Sequence, residues 1–148
     1  MTMTYKTIVV AVDGSKEAEW AFKKAVQIAK RNNAKLILSH VIDLRSFAPL
    51  EVYDSTAVER SEEYAKELLS GYQQQALAAG LNDVVIDIEF GSPKVKIARD
   101  VAQKYKADLI VCGATGLNAV ERLLIGSVSE HITRYAKCDV LVVRTEKE

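Results

Sequence analysis

Gly113 and Gly116 bracket two residues at the end of an apolar run, and nine residues later comes Gly126-Ser127-Val128-Ser129. Where a strand ends, glycine lets the backbone turn sharply and approach a ligand with no Cβ in the way. A Gly-Ser pair where a helix begins adds free N–H groups, a hydroxyl and the positive end of a helix dipole. These groups suit a phosphate, and the chemistry they imply is the binding of a nucleotide. A second group of similar type, Asp13-Gly14-Ser15, closes the first apolar run of the chain.

Other nucleotide signatures are missing. No G-x-x-x-x-G-K-[ST] occurs, which argues against a P-loop NTPase, and no G-x-G-x-x-G follows the first strand, which argues against a dinucleotide fold. A phospho-accepting receiver domain needs an acid at the exit of its third strand, where this chain has Phe90-Gly91. A flavin-linked domain on a related fold remains a distinct alternative, with a yellow preparation as its sign.

The elements that must position these groups alternate along the chain. Thr7 to Val12 reads as a strand, and Ser15 caps a helix carrying Ala18, Ala21, Phe22, Ala25, Ile28 and Ala29 at helical spacing. Leu36 to Val41 is the second strand. Ile42 to Ser55 has no clear period and reads as a long loop, a candidate reporter of site occupancy. A helix begins near Thr56, whose spacing from Glu59 fits a capping box, and buries Ala65, Leu68, Tyr72 and Ala76 before Gly80.

Val84 to Phe90 is the third strand, and Asp87 and Glu89 on alternate positions predict one partly wet face. Ser92-Pro93 supplies a cap and first turn for a helix burying Ala98, Val101, Ala102 and Tyr105. Leu109 to Cys112 is the fourth strand, a helix runs from about Ser127 to Tyr135, and Val140 to Val143 is the last strand. Ser127 and Glu130 also have capping-box spacing. Five strands alternating with helices predict an α/β fold: an open parallel sheet, order 3-2-1-4-5, with helices on both faces. Residues 1–148 read as one domain, with no linker, repeat or low-complexity tract.

In such sheets ligands bind beyond the carboxyl ends of the strands, where the order reverses. Strands one and four bracket that point, and both special segments follow them. The nearby end of strand two, at Val41, offers a backbone edge for a base.

The spacing G-x-x-G-x9-G-[ST], preceded by a first strand ending in Asp-Gly-Ser, resembles the universal stress protein family, over Tyr5 to Arg144. The resemblance implies a Rossmann-like domain of the adenine nucleotide alpha hydrolase type, ATP as ligand with Mg²⁺, and a homodimer. It assigns Gly113, Gly116, Gly126 and Ser127 to phosphates and ribose, with Val128 and Ser129 adding contacts at the helix start. Asp13 and the backbone of Ala11 and Val12 would meet ribose and adenine, with Val41 beside the base. Many members have proline at the position of Ala11, so this chain departs from the family there. Gly113→Val and Gly116→Val are expected to abolish nucleotide binding while keeping the fold.

The implied activity is a nucleotide-dependent regulatory or stress response. The alternatives are slow ATP hydrolysis or self-phosphorylation on Ser127 or Ser129, AMP sensing, and a ligand-free dimerisation module. No P-loop lysine, paired carboxylates or evident base accompany the glycines, so no catalytic residue and no metal ligand is assigned. His40 reads as a satisfied core histidine and His131 as structural or solvated, although His131 is near enough in sequence to approach a γ-phosphate. Trp20 falls off the apolar stripe of its helix and is expected to be partly exposed.

Lys plus Arg balances Asp plus Glu at 20 each, so nothing points to a broad basic surface for nucleic acid, no nucleic-acid partner is expected, and any phosphate site is expected to be local. Cys112 and Cys138 lack metal-ligand spacing and read as buried thiols of a reducing compartment. With no leader-like start and no run of membrane-spanning length, a cytoplasmic location is expected. Val140 to Val143 at the sheet edge is a pairing hazard that a second copy would cover, giving a two-fold dimer.

Overall fold

The computed structural model describes residues 4–43, 55–114 and 126–144. Its strands are β1 (Thr7–Ala11), β2 (Lys35–Ile42), β3 (Val84–Phe90), β4 (Leu109–Gly113) and β5 (Asp139–Val143). They form one parallel sheet in the order β3-β2-β1-β4-β5, as the alternating pattern predicts. The apolar runs are nearly continuous because both faces of the sheet are covered. Ile8, Val10, Leu36 and Leu38 face one core; Val9, Ile37 and Ile110 face the other.

Helices α1 (Lys16–Asn32) and α2 (Ser55–Ala78) cover the first face. The α1 stripe of Ala18, Ala21, Phe22, Ala25 and Ala29 is buried, and Phe22 meets Tyr72 of α2 with ring centroids 4.5 Å apart. Trp20 lies half-buried at the rim of this core, with the Lys23 ammonium 5.5 Å from its ring. Helix α2 already includes Ser55, so Thr56 sits inside the first turn rather than capping it. Leu69 is fully buried beside Ala65 and Ala76, while Leu68 and Tyr72 are partly buried. The expected loop shrinks from both ends, since β2 runs through Ile42; residues 44–54 are outside the described part.

The second face is covered by α3 and α4. Helix α3 runs from Pro93–Val95 through a π-helical stretch, Lys96–Val101, to Ala102–Tyr105. Ser92 holds its cap position, but its hydroxyl makes no capping bond. Helix α4 is Ser127–Tyr135.

The wet face expected on β3 is a correction. Asp87 is only 4 % exposed, because α3 lies across it and supplies both partners. Tyr105 donates its hydroxyl to Asp87 Oδ2 at 2.6 Å and Lys104 Nζ donates at 3.0 Å, with Glu89 3.5 Å from the same ammonium. Burial pushes the Asp87 carboxyl up, but bonds from Tyr105, Glu89 and Lys104 outweigh it and leave it below the usual carboxylate value.

Candidate functional site

The carboxyl ends of β1 and β4 lie side by side, with Val10 level with Val111. Beyond β1 the backbone of Val12 is already occupied. Its N–H donates to the Ser39 carbonyl at 2.8 Å, and its carbonyl accepts from His40 Nδ1 at 2.7 Å. A carbonyl only accepts, so that contact fixes the proton on Nδ1 and makes His40 a satisfied, structural histidine. Val12 therefore has no free backbone donor for a ligand; Ala11 offers a half-buried apolar wall.

Asp13 Oδ1 accepts from Ser15 N–H at 2.9 Å, and the Ser15 hydroxyl accepts from Ala18 N–H at 3.1 Å. Between them Gly14 adopts φ +85°, open to glycine at little cost. The turn thus reverses β1 into α1 and leaves the Asp13 carboxylate at the strand exit. A Cβ on Gly14 would meet the Tyr64 hydroxyl at 2.8 Å, so Tyr64 of α2 stands over this turn. Nothing in the spacing of the sequence linked Tyr64 to the site.

At the other exit, the Ala114 carbonyl gathers two donors: Gly126 N–H at 2.7 Å and the Ser129 hydroxyl at 2.9 Å. Ser129, 2 % exposed, also lies 3.1 Å from the Gly126 carbonyl. These bonds bring the start of α4 to the end of β4. The capping-box expectation is corrected here. Gly126 is the cap, its carbonyl receiving Glu130 N–H at 3.0 Å, and Ser127 is the exposed first helical residue. Glu130 pairs instead with Arg134 at 3.1 Å.

The amides of Ser127, Val128 and Ser129 precede Glu130 N–H, the first intrahelical donor, so they are the orphan donors of the helix start, reinforced by its dipole. Gly116 lies outside the described residues. Gly113 does not act as a turn glycine. A Cβ there would meet Glu17 Cβ at 2.7 Å and its carbonyl carbon at 2.9 Å, so the missing side chain makes room for the first turn of α1. The expectation that Gly113→Val would keep the fold is corrected by that contact.

Val41 completes the edge of the crevice. In a parallel ladder alternate residues address the same neighbouring strand. The Ser39 carbonyl serves the β1 side, so Val41 turns its amide and carbonyl to that side too, beyond the last register pair Ala11–Ser39. Its side chain is buried in the α3 face.

The remaining candidates lie apart from this chemistry. His131 packs its ring on Tyr135, one turn further along α4, with centroids 4.5 Å apart. Cys112 is buried, and its thiol is pushed up to about 12 by desolvation; Cys138 is only half-buried, and burial raises it as well. Among the described residues, no cluster of His, Cys, Asp and Glu of metal-binding size exists. Among the same residues no helix is long and apolar enough to cross a membrane.

The sequence profile of the universal stress protein family matches residues 4–144. The chain belongs to the universal stress protein family. It is 56 % identical over 145 residues to a universal stress protein of Staphylococcus haemolyticus, covering 98 % of this chain and 88 % of that one. Among solved structures it is similar to universal stress protein UspA from Lactobacillus plantarum, with TM-score 0.88, 33 % identity and coverage of 97 % and 100 %. It is also similar to a universal stress protein solved in complex with cAMP, with TM-score 0.72, 33 % identity and coverage of 97 % and 99 %.

Proposed function

We propose that this universal stress protein binds an adenine nucleotide, ATP with Mg²⁺, in the crevice between the ends of β1 and β4, and uses it as a regulatory signal. The carrying observation is the start of α4. Three amides that lack an intrahelical acceptor, those of Ser127, Val128 and Ser129, are held at the β4 exit by Gly126 and Ser129 bonds to Ala114. Such a site is suited to a polyphosphate, which accepts from amides and is favoured by the dipole. The Asp13 carboxylate, at the level of that exit, suits ribose hydroxyls. The Val41 amide and carbonyl suit the adenine edge, which pairs a ring-nitrogen acceptor with an amino donor. The cAMP bound by a relative supports an adenine nucleotide as the ligand class.

In this reading Gly126, Ser127 and Val128 contact phosphate directly, whereas Ser129 acts mainly through its bond to Ala114. Gly113 shapes the floor, Gly116 belongs to the same phosphate segment, and Ala11 and Val12 form an apolar wall. Mg²⁺ would neutralise part of the phosphate charge. The unpaired outer edge of β5 is covered in this reading by antiparallel pairing with β5 of a second copy, giving a homodimer.

The deciding experiment is to denature freshly purified protein, identify released nucleotide by mass spectrometry, and titrate ATP, AMP and cAMP with Mg²⁺ into the stripped protein. Near-stoichiometric ATP or tight ATP rebinding is expected. Preference for AMP or cAMP moves the reading to a mononucleotide sensor, and absence of any binding leaves the glycine segment structural.

A further inference from the structure

At the end of the sheet where β4 and β5 begin, opposite the crevice, α3 and α4 enclose a groove of about 300 Å³. Its floor is small and apolar, made by Ala98, Ala102 and Ala107, and Cys138 lines it beside the start of β5. Tyr135, exposed at the end of α4, borders it. Ala98 and Arg99, on the α3 side, belong to the π-helical stretch Lys96–Val101. Such stretches are rare and frequently occur at functional sites. The nucleotide crevice does not use this one.

Among the described residues that line the groove, the charged ones are Arg99, Lys106 and Lys137, with no acid. Arg99 is engaged by Asp100 at 3.0 Å. Among the described residues neither Lys106 nor Lys137 has an ion-pair partner. Asp108 and Asp139 act on the Cys138 thiol from nearby but do not line the groove. Asp108 accepts from the amides of Lys6 and Thr7, and Asp139 from the Tyr5 hydroxyl. The carboxyl ends of α3 and α4 contribute only about half a negative charge each, so the two ammonium groups outweigh them. An occupant therefore meets ammonium groups and apolar surface, and no carboxylate.

We propose that this groove is a second ligand site, separate from the nucleotide crevice, for a small amphiphilic carboxylate. Lys106 and Lys137 pair with its head, and Ala98, Ala102 and Ala107 carry its apolar body. The volume sets the size. A water molecule takes about 30 Å³ in the liquid, so the groove accommodates roughly ten non-hydrogen atoms, those of an eight-carbon acid. Inorganic phosphate would pair with the ammonium groups but leave the apolar floor wet. A neutral alcohol would cover the floor but leave the ammonium groups unpaired.

The test uses octanoate, with octanol and octylammonium as its neutral and cationic counterparts, and reads alkylation of Cys138 by N-ethylmaleimide in the folded full chain. Cys112 is buried and serves as the internal reference. Octanoate at about 3 mM should slow Cys138 alkylation at least about threefold, with a dissociation constant of about 1 mM or tighter. Octanol should protect much less and octylammonium not at all. In Lys106→Gln with Lys137→Gln, octanoate should protect no better than octanol. Rates with and without ligand are compared within each protein, because the lysines also affect the reactivity of the thiol itself. Absence of protection by octanoate, equal protection by octanol, or octanoate protection retained in the double variant overturns the proposal.

Discussion

A Cβ placed on Gly113 would stand 2.7 Å from Glu17 Cβ and 2.9 Å from the Glu17 carbonyl carbon. The end of β4 and the first turn of α1 are thus packed backbone against backbone. Relief would require moving α1, whose Ala18, Ala21 and Ala25 are buried on the sheet. Gly113→Ala should therefore lower folding stability by about 2 kcal/mol, an overpacking cost. A urea titration checks this, and an unchanged midpoint would mean that α1 shifts freely. Loss of ligand binding in this variant does not separate contact from fold.

Ser127 gives the cleaner separation. It is exposed, stands first in α4, and carries one of the orphan amides. Ser127→Asp should weaken ATP binding at least roughly tenfold, by setting a carboxylate against a phosphate. Without ligand the same change should raise stability by about 0.5 kcal/mol, because an acid in the first turn complements the dipole. Calorimetric titration and thermal unfolding of the stripped protein read the two signs. Affinity that survives would place the phosphates elsewhere.

Ser129→Ala removes the hydroxyl that ties α4 to Ala114. A loss of about 1–2 kcal/mol is expected for this buried bond. ATP affinity should fall with it through misplacement of the helix start. Ser129→Thr, which retains a hydroxyl, should recover part of both losses; equal behaviour of the two variants would refute the tie.

The strand and helix order was legible because each strand is a short β-branched run between turn residues and each helix carries a regular apolar stripe. Less legible were features set by tertiary contact. Thr56 and Ser127 have the spacing of capping boxes, yet the helix starts place both inside the first turn. The π-helical stretch Lys96–Val101 keeps buried residues Ile97, Ala98 and Val101 at ordinary helical intervals, so the pattern gives no sign of it. Gly113 reads as a turn residue when its neighbours are those in sequence. Its decisive neighbour, Glu17, stands 96 positions earlier in the 148-residue chain. Tyr64 over Gly14 and the Lys104–Tyr105 cover on Asp87 are likewise long-range.

Asp87 makes the stability of the sheet acid-sensitive. Its folded carboxyl is held below the ordinary value of 3.8, so its contribution is complete above that value and is lost as pH falls through the lower one. Glu89 opposes this, since the hydrogen bond shared with Asp87 raises it above its ordinary 4.5 and favours the fold when it is protonated. Wild-type stability should drop more steeply below about pH 4 than that of Asp87→Asn. The substitution itself should cost about 3 kcal/mol at neutral pH, because the Tyr105 hydroxyl and the Lys104 ammonium lose a charged acceptor. Parallel pH curves for the two proteins would remove Asp87 from the account.

The chain leaves the sheet at Ala114 and comes back at Gly126, and a single hydrogen bond of 2.7 Å joins departure to return. That joint, with the Ser129 hydroxyl on the same carbonyl, fixes the start of α4 against the end of β4. Closing a chain between two fixed points costs only about 0.6 kcal/mol more for each doubling of its length. A longer or shorter connection between Ala114 and Gly126 is therefore compatible with the same placement of the α4 amides. Ligand preference can thus be rewritten between two fixed posts without renegotiating the fold.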